Sequence, residues 1–250
     1  MGILSIPNSL FSIGEWPCSS KLTRMQLIKK YGITMFLLVL AFHCACIYLG
    51  YEVLRTASKL FLMPLLATWF WANTTNRSSP YHLLIFAGLL FSFLGDLILT
   101  RSGETFFLLG MLAFVGTHIC NSIYFYKLRS IHVNRMQEAG LAAIILFIIT
   151  IVVFTLLKPY LSNFTIPILI YMAIISMMAI LATNTLSNPS LKKMALAFFI
   201  PGAALFVLSD GMLAMNKFLL HQPLLDIVVM LTYGGAQCLL ILGFSETGNK

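Results

Sequence analysis

The chain has 250 residues, of which 59% are hydrophobic and only 10% charged, and its mean hydropathy is +0.92. Soluble domains carry roughly 45–50% apolar and about 25% charged residues, so a soluble globular enzyme, a disordered chain and a nucleic-acid-binding domain are excluded. Five cysteines are too sparse over this length for a disulfide scaffold. The formal charge of +8 sits in short gaps between apolar runs, where the positive-inside rule accounts for it without nucleic acid as a partner. The composition is that of an all-α, polytopic membrane protein.

Residues 1–31 read as an N-terminal cytoplasmic or interfacial segment. Met1 to Ser20 has no basic region ahead of its apolar residues, and Trp16-Pro17 interrupts them, which is unlike a cleavable signal peptide. A bilayer crossing takes about 20 mostly apolar residues. Eight stretches meet or approach that length: 32–51, 58–72, 81–99, 105–126, 139–157, 164–182, 194–216 and 224–244. They make one transmembrane domain over 32–244, followed by a short cytoplasmic tail at 245–250. The second stretch is short and holds Pro64, which would kink or tilt it. If it were re-entrant, seven spans would remain. Connections such as Asn73 to Asn76, Arg101-Ser102-Gly103 and Gln222-Pro223 are too brief for a soluble domain.

Orientation follows from Lys and Arg. With both termini in the cytoplasm, eleven basic residues fall inside and five outside, the outer ones being Arg55, Lys59, Arg101, Lys158 and Lys217. Trp69, Trp71, Tyr81, Tyr124 and Tyr126 then lie near the inner interface. Tyr171 and Tyr233 lie well within their spans, so each phenol needs a polar partner in the bundle.

Carboxylates inside spans are costly, about 2.5–3.5 kcal/mol for Asp at a helix centre even on the lower scales. Asp96 in the third span and Asp210 in the seventh are firm cases, while Asp226 begins the eighth span and can reach outer water. Both firm aspartates come about 15 residues after the inner boundary, at a rise of ~1.5 Å per residue, which puts them at similar depth in the outer half. Gly88 precedes Asp96 by eight residues and Gly202 precedes Asp210 by the same interval. That spacing is what a parallel repeat of two four-helix halves would give.

Depth counting brings Tyr171, Tyr233 and Lys59 to the same outer half, with His118 and Gln237 below them. Asn121 and Tyr124 follow His118 on its helix. The expectation is a polar pocket opening outward. Plainer roles stand beside it: an interhelical hydrogen bond or a buried Lys pair for the aspartates, helix ties for His118 and Gln237, packing for the tyrosines, and snorkelling for Lys59. No G-x-S-x-G, H-E-x-x-H, Walker A or G-x-G-x-x-G motif is present, and nothing in the sequence calls for a metal or cofactor.

These residues resemble the YhhN-like lysoplasmalogenase family of integral membrane proteins. The similarity runs through Gly88-Leu-Leu-Phe-Ser-Phe-Leu-Gly-Asp96, Gly110 with Ala113-Phe114, and the segment from His118 to Tyr124. It continues through Ala204-Leu-Phe-Val-Leu-Ser-Asp210, Asn216-Lys217-Phe218, Thr232-Tyr233 and Ala236-Gln237, in the family's order. Earlier, Ser58-Lys59-Leu60 has Leu60 where the family usually has Pro, and Gly234 replaces a common second Tyr after Tyr233.

The resemblance implies hydrolysis of the vinyl ether bond of choline or ethanolamine lysoplasmalogens, a membrane lysophospholipid substrate, with release of a fatty aldehyde. Asp96 and Asp210 are then the expected catalytic pair, one protonated and the other ionised. Lys59, His118, Asn121, Tyr124, Tyr171, Ser209, Asn216, Tyr233 and Gln237 are the expected substrate-binding residues. Two other readings accompany it. Paired intramembrane aspartates also suit a proton-coupled transporter or lipid-binding protein. A metal-dependent hydrolase would use His118 with the aspartates. The host membrane is expected to be a bacterial inner membrane, or the endoplasmic reticulum in a eukaryote.

Overall fold

The computed structural model describes residues 19–75, 80–128 and 137–248. Most of the expected N-terminal segment, part of the short tail, Asn76 and the inner basic residues Arg77, Arg129, Arg135 and Lys250 lie outside the described residues. The described residues are helical apart from short turns, with no strand among them. The long helices are α1 (Ser19–Leu49), α2 (Glu52–Asn73), α3 (Pro80–Ile98), α4 (Glu104–Leu128), α5 (Gln137–Leu161), α6 (Thr165–Asn184), α7 (Lys192–Leu220) and α8 (Leu225–Gly248).

By length and composition, six helical runs are able to cross a membrane, and one of these runs from Glu138 to Ser187. That run turns back on itself at Ser162, whose φ is +44°, so α5 and α6 pack side by side. Helix α2 falls outside the six. Its first turns carry the polar residues Glu52, Arg55, Ser58 and Lys59 ahead of a buried apolar face of Leu62, Met63, Leu66 and Phe70, and it continues through Pro64 without a break. Helix α1 begins at Ser19, earlier than the expected span at 32, because the residues before Gly32 continue the helix and Trp69 Nε1 donates to the Lys29 carbonyl at 3.3 Å.

Hairpin neighbours α1–α2, α3–α4 and α7–α8 form the strongest pairings. Helix α6 packs on α4 and α7, α8 reaches back to α1 and α2, and α5 lies outermost against α6 and α7. The α3–α4 pairing depends on glycine. A Cβ on Gly95 would stand 2.7 Å from the Phe114 ring, so the residue before Asp96 must be small for the helices to close. Both ends of α7 widen into five-residue π-helical turns, Ala195–Phe199 and Asn216–Leu220, the second ending at His221 with φ +51°. Such turns are commonest near functional sites.

Candidate active site

Helix α7 carries Asp210 into the bundle opposite α4 and α6. Its Oδ2 accepts a hydrogen bond from the Tyr171 hydroxyl at 2.6 Å and lies 3.1 Å from His118 Nε2. The His118 Nε2 and Tyr171 hydroxyl are themselves 3.1 Å apart. His118 is fully buried, its ring edge-on to Phe206 at 4.7 Å between centroids, and its Nδ1 has no partner among the described residues. The network assigns the proton to Nε2, where it can point at Asp210. Nδ1 is then a bare acceptor, which is less costly to bury than an unpaired N–H. Two donors thus converge on Oδ2, and Oδ1 has no hydrogen-bond partner among the described residues.

Two cavities reach this carboxyl, and a third adjoins one of them. A crevice between α5, α6 and α7 is walled by apolar residues including Leu146, Ile149, Val153, Ile168 and Val207, and reaches Asp210 and Tyr171. A second, between α3, α4, α6 and α7, is lined by Leu99, Phe107, Met111, Phe114 and Leu213, and it too reaches Asp210 and Tyr171. The third, of about 230 Å³, lies where the helix ends gather at 99–103 and 213–230. Arg55, Lys59, Arg101 and Lys217 line it, with Asp226, and it shares Leu99, Phe107 and Leu213 with the second. The second cavity, of about 20 Å³, thus lies between the cationic vestibule, with which it shares Leu99, Phe107 and Leu213, and the apolar crevice, with which it shares Ile168, Tyr171, Asp210 and Ala214.

Asp96 on α3 has different company. Lys59 Nζ of α2 is 3.2 Å from its Oδ1, and the Tyr233 hydroxyl of α8 donates to its Oδ2 at 2.8 Å. Tyr233 is held edge-on by Phe114 and Phe206. Asp96 is 2% exposed and lines none of the three cavities just described. Deeper in the bundle, Gln237 donates to Ser92 Oγ at 2.8 Å, Ser92 Oγ is 2.9 Å from Thr117 Oγ1, and Thr117 donates to the Gly88 carbonyl at 3.1 Å. This ladder ties α8, α3 and α4 beneath the two carboxylates.

Of the residues expected from sequence, Asp96, Asp210, Lys59, His118, Tyr171 and Tyr233 gather in these two clusters, and Gln237 lies beneath them. The others sit elsewhere. Asn121 is buried facing Gly88, its Oδ1 3.5 Å from where a Cβ on that glycine would stand. The Tyr124 hydroxyl is 2.6 Å from Thr247 Oγ1, towards the far end of α8. Ser209 donates to the Val229 carbonyl at 3.0 Å and so fastens α7 to α8. Asn216 Nδ2 donates to Asp226 Oδ1 at 2.8 Å, and its Oδ1 accepts the Gln222 N–H, which shapes the vestibule rim.

Sequence reasoning did not assign a binding role to Arg55, Arg101 or Lys217, which it counted as outer-side charges. Arg55 is bound to Asp226 at 2.7 Å. Among the described residues no group of three or more His, Cys, Asp and Glu is placed to hold a metal ion.

Comparison with known proteins bears on this site. A bovine (Bos taurus) protein named lysoplasmalogenase TMEM86A is 32% identical over 167 residues, 65% of this chain and 65% of that protein. The human protein of the same name is 31% identical over the same length and shares. This chain therefore matches just under two thirds of the length of those mammalian relatives. A Mycobacterium bovis protein named lysoplasmalogenase is 26% identical over 218 residues, 86% of this chain and 79% of that one. No solved structure matches the chain. The profile of the YhhN family matches residues 54–244, from α2 to near the end of α8, and includes every residue of both carboxylate clusters. On that match the chain, an integral membrane protein, belongs to the YhhN family.

Proposed function

We propose that the protein is a lysoplasmalogenase, hydrolysing the vinyl ether bond of a lysoplasmalogen to a fatty aldehyde and a glycerophospho-alcohol, with Asp210 at the centre of the chemistry. One observation carries the reading. A half-buried carboxyl, Asp210, has one oxygen without a hydrogen-bond partner among the described residues and lines two largely apolar cavities, one of which shares Leu99, Phe107 and Leu213 with a cationic vestibule. A single-chain lipid has the matching order of parts: phosphate, reactive ether, hydrocarbon. The names of the mammalian and mycobacterial relatives point the same way.

In this reading the substrate phosphate rests among Lys59, Arg101 and Lys217, and the alkenyl chain lies between α5, α6 and α7. In its acid form Asp210 carries the proton on Oδ1, the oxygen that accepts from neither Tyr171 nor His118. The double bond takes that proton at its β-carbon, leaving an oxocarbenium-like cation beside the new carboxylate. Charge developing in a water-poor site is where preorganised groups act most strongly. Water adds to the α-carbon and returns a proton to Asp210. The hemiacetal then collapses: its hydroxyl proton leaves, the bond to the glycerol oxygen breaks, that oxygen takes up a proton, and aldehyde is released. The balance is one ether and one water to one alcohol and one aldehyde.

The same proposal takes the long helices as eight crossings. The run from Glu138 to Ser187 supports this, because 50 residues at ~1.5 Å each far exceed a hydrocarbon core of about 30 Å and the run folds back at Ser162. A parallel repeat of α1–α4 and α5–α8 would pair Asp96 with Asp210 as equivalent positions. Gly88 and Gly202 fit such a repeat, since each lies against the following helix of its own half, α4 and α8 respectively.

The test is free fatty aldehyde, read by mass spectrometry, from monodisperse detergent-purified protein given a choline or ethanolamine lysoplasmalogen. An acyl lysophospholipid serves as control. Aldehyde from the vinyl ether with the acyl lipid untouched supports the assignment. No aldehyde with any headgroup rejects it, and solute flux in liposomes would then be measured for a carrier.

A further inference from the structure

The two aspartates differ in what their oxygens can do. Both oxygens of Asp96 are taken by donors, Lys59 Nζ at 3.2 Å and the Tyr233 hydroxyl at 2.8 Å. Asp210 keeps Oδ1 free and faces two cavities. Lys59 spans both settings: its side chain is 17% exposed, its ammonium binds Asp96, and the residue lines the vestibule. Its base is fixed as well. The neighbouring Ser58 donates to the Leu54 and Arg55 carbonyls and lies 2.9 Å from buried His43 Nδ1 of α1. One turn earlier on α2, Arg55 is held by Asp226 in the same manner, a cation anchored by a carboxylate.

Resting on the vinyl ether reading, we infer that Asp96 is a positioning residue: it anchors the Lys59 ammonium at the inner wall of the vestibule to receive the substrate phosphate, while Asp210 alone exchanges protons with the reacting atoms. A carboxylate neutralised by a lysine at bonding distance adds little field at a neighbouring cation. The charge that meets the oxocarbenium is then the one Asp210 acquires when it gives up its proton. Asp96 acts on the reaction through Lys59, and its effect belongs to binding of the phosphate.

The experiment compares two substrates that share the reacting bond, a choline lysoplasmalogen and a 1-alkenylglycerol without phosphate, on full-length protein in detergent. The proteins are the wild type, Asp96→Asn, Lys59→Met, the Asp96→Asn/Lys59→Met double variant and Asp210→Asn. Asp96→Asn is expected to raise KM for the lysoplasmalogen about tenfold while kcat stays within about threefold, the pattern of lost binding. The wild-type preference for the phosphate-bearing substrate falls by the same factor. Lys59→Met does the same, and the double variant loses no more than either single one, because the two residues act along one route. Asp210→Asn abolishes turnover of both substrates.

Should Asp96→Asn fail to fold, the double variant decides, since replacing a whole buried ion pair is far better tolerated than breaking one. Turnover with raised KM and lost preference upholds the proposal. A folded double variant, or a folded Asp96→Asn, that has lost kcat on both substrates as fully as Asp210→Asn overturns it and leaves the hydrolase reading intact. A wild type that releases aldehyde from neither substrate overturns both.

Discussion

The Asp96 and Asp210 clusters lie on helices with the same Gly-to-Asp spacing, yet their carboxyls are partnered in different ways. Asp96 is matched by a full opposite charge and a phenol and then sealed. Asp210 is met by a phenol and an imidazole that share one of its oxygens, its other oxygen has no hydrogen-bond partner among the described residues, and the residue lines two cavities. A buried ion pair satisfied on every side is stable but chemically closed. A carboxyl with one unmatched oxygen is costlier to keep and is where proton traffic can occur. Intramembrane acidity alone therefore does not mark a catalytic group; the identity of the partner and access to a cavity do.

The contrast can be broken most severely at Asp210. Asp210→Asn should lower kcat for vinyl ether cleavage by about 10²–10⁴-fold, the range of a lost general acid–base group, with an unchanged elution profile in size-exclusion chromatography. The tyrosines give the next largest difference. Tyr171→Phe removes one of two donors to Oδ2 and should lower kcat by about 10²-fold, as loss of a preorganised donor does. Tyr233→Phe leaves Asp96 its lysine and should change kcat by no more than about threefold, while lowering stability by about 1 kcal/mol. Equal losses in kcat from the two would show that the clusters share the chemistry.

A smaller effect should come from the apolar crevice. Val207→Trp would fill the space beside Asp210 between α5 and α7, so KM for a long alkenyl chain should rise about tenfold, with less penalty for a short one. Each buried methylene is worth about 0.8 kcal/mol, which makes the chain-length series the informative readout. The smallest is at the vestibule. The Arg101→Gln/Lys217→Gln pair should raise KM about threefold at low ionic strength, and that difference should fade as salt screens the exposed cations.

Much of this arrangement is legible in the sequence. The apolar runs and the demand of Tyr171 and Tyr233 for polar partners follow from composition and rise per residue. What depth leaves open is direction around each helix. Tyr124 follows His118 by six residues, which carries it about a third of a turn off the His118 face and roughly 9 Å along the axis, so it meets Thr247 instead. Ser209 is adjacent to Asp210 in sequence but about 100° around the helix from it, and it bonds α8. Which phenol serves which carboxyl depends on packing between helices far apart in sequence, Tyr171 with Asp210 and Tyr233 with Asp96. The vestibule was hidden for the same reason. Its cations come from the ends of α2 and α7 and from the turn after α3, and no local pattern shows that those ends converge.

Helix α5 forms one wall of the crevice while lying outermost, against α6 and α7, and its residues are mostly exposed. In a bilayer those exposed residues meet lipid. Asp210 therefore lies between surroundings of opposite character: the charged vestibule beyond Phe107 and Leu213, and the apolar crevice along α5. Under the proposed chemistry the glycerophospho-alcohol partitions to water and the aldehyde to the membrane. Solubility alone separates the two halves of the substrate, and the reactive aldehyde passes directly to the phase where membrane-bound enzymes can reach it.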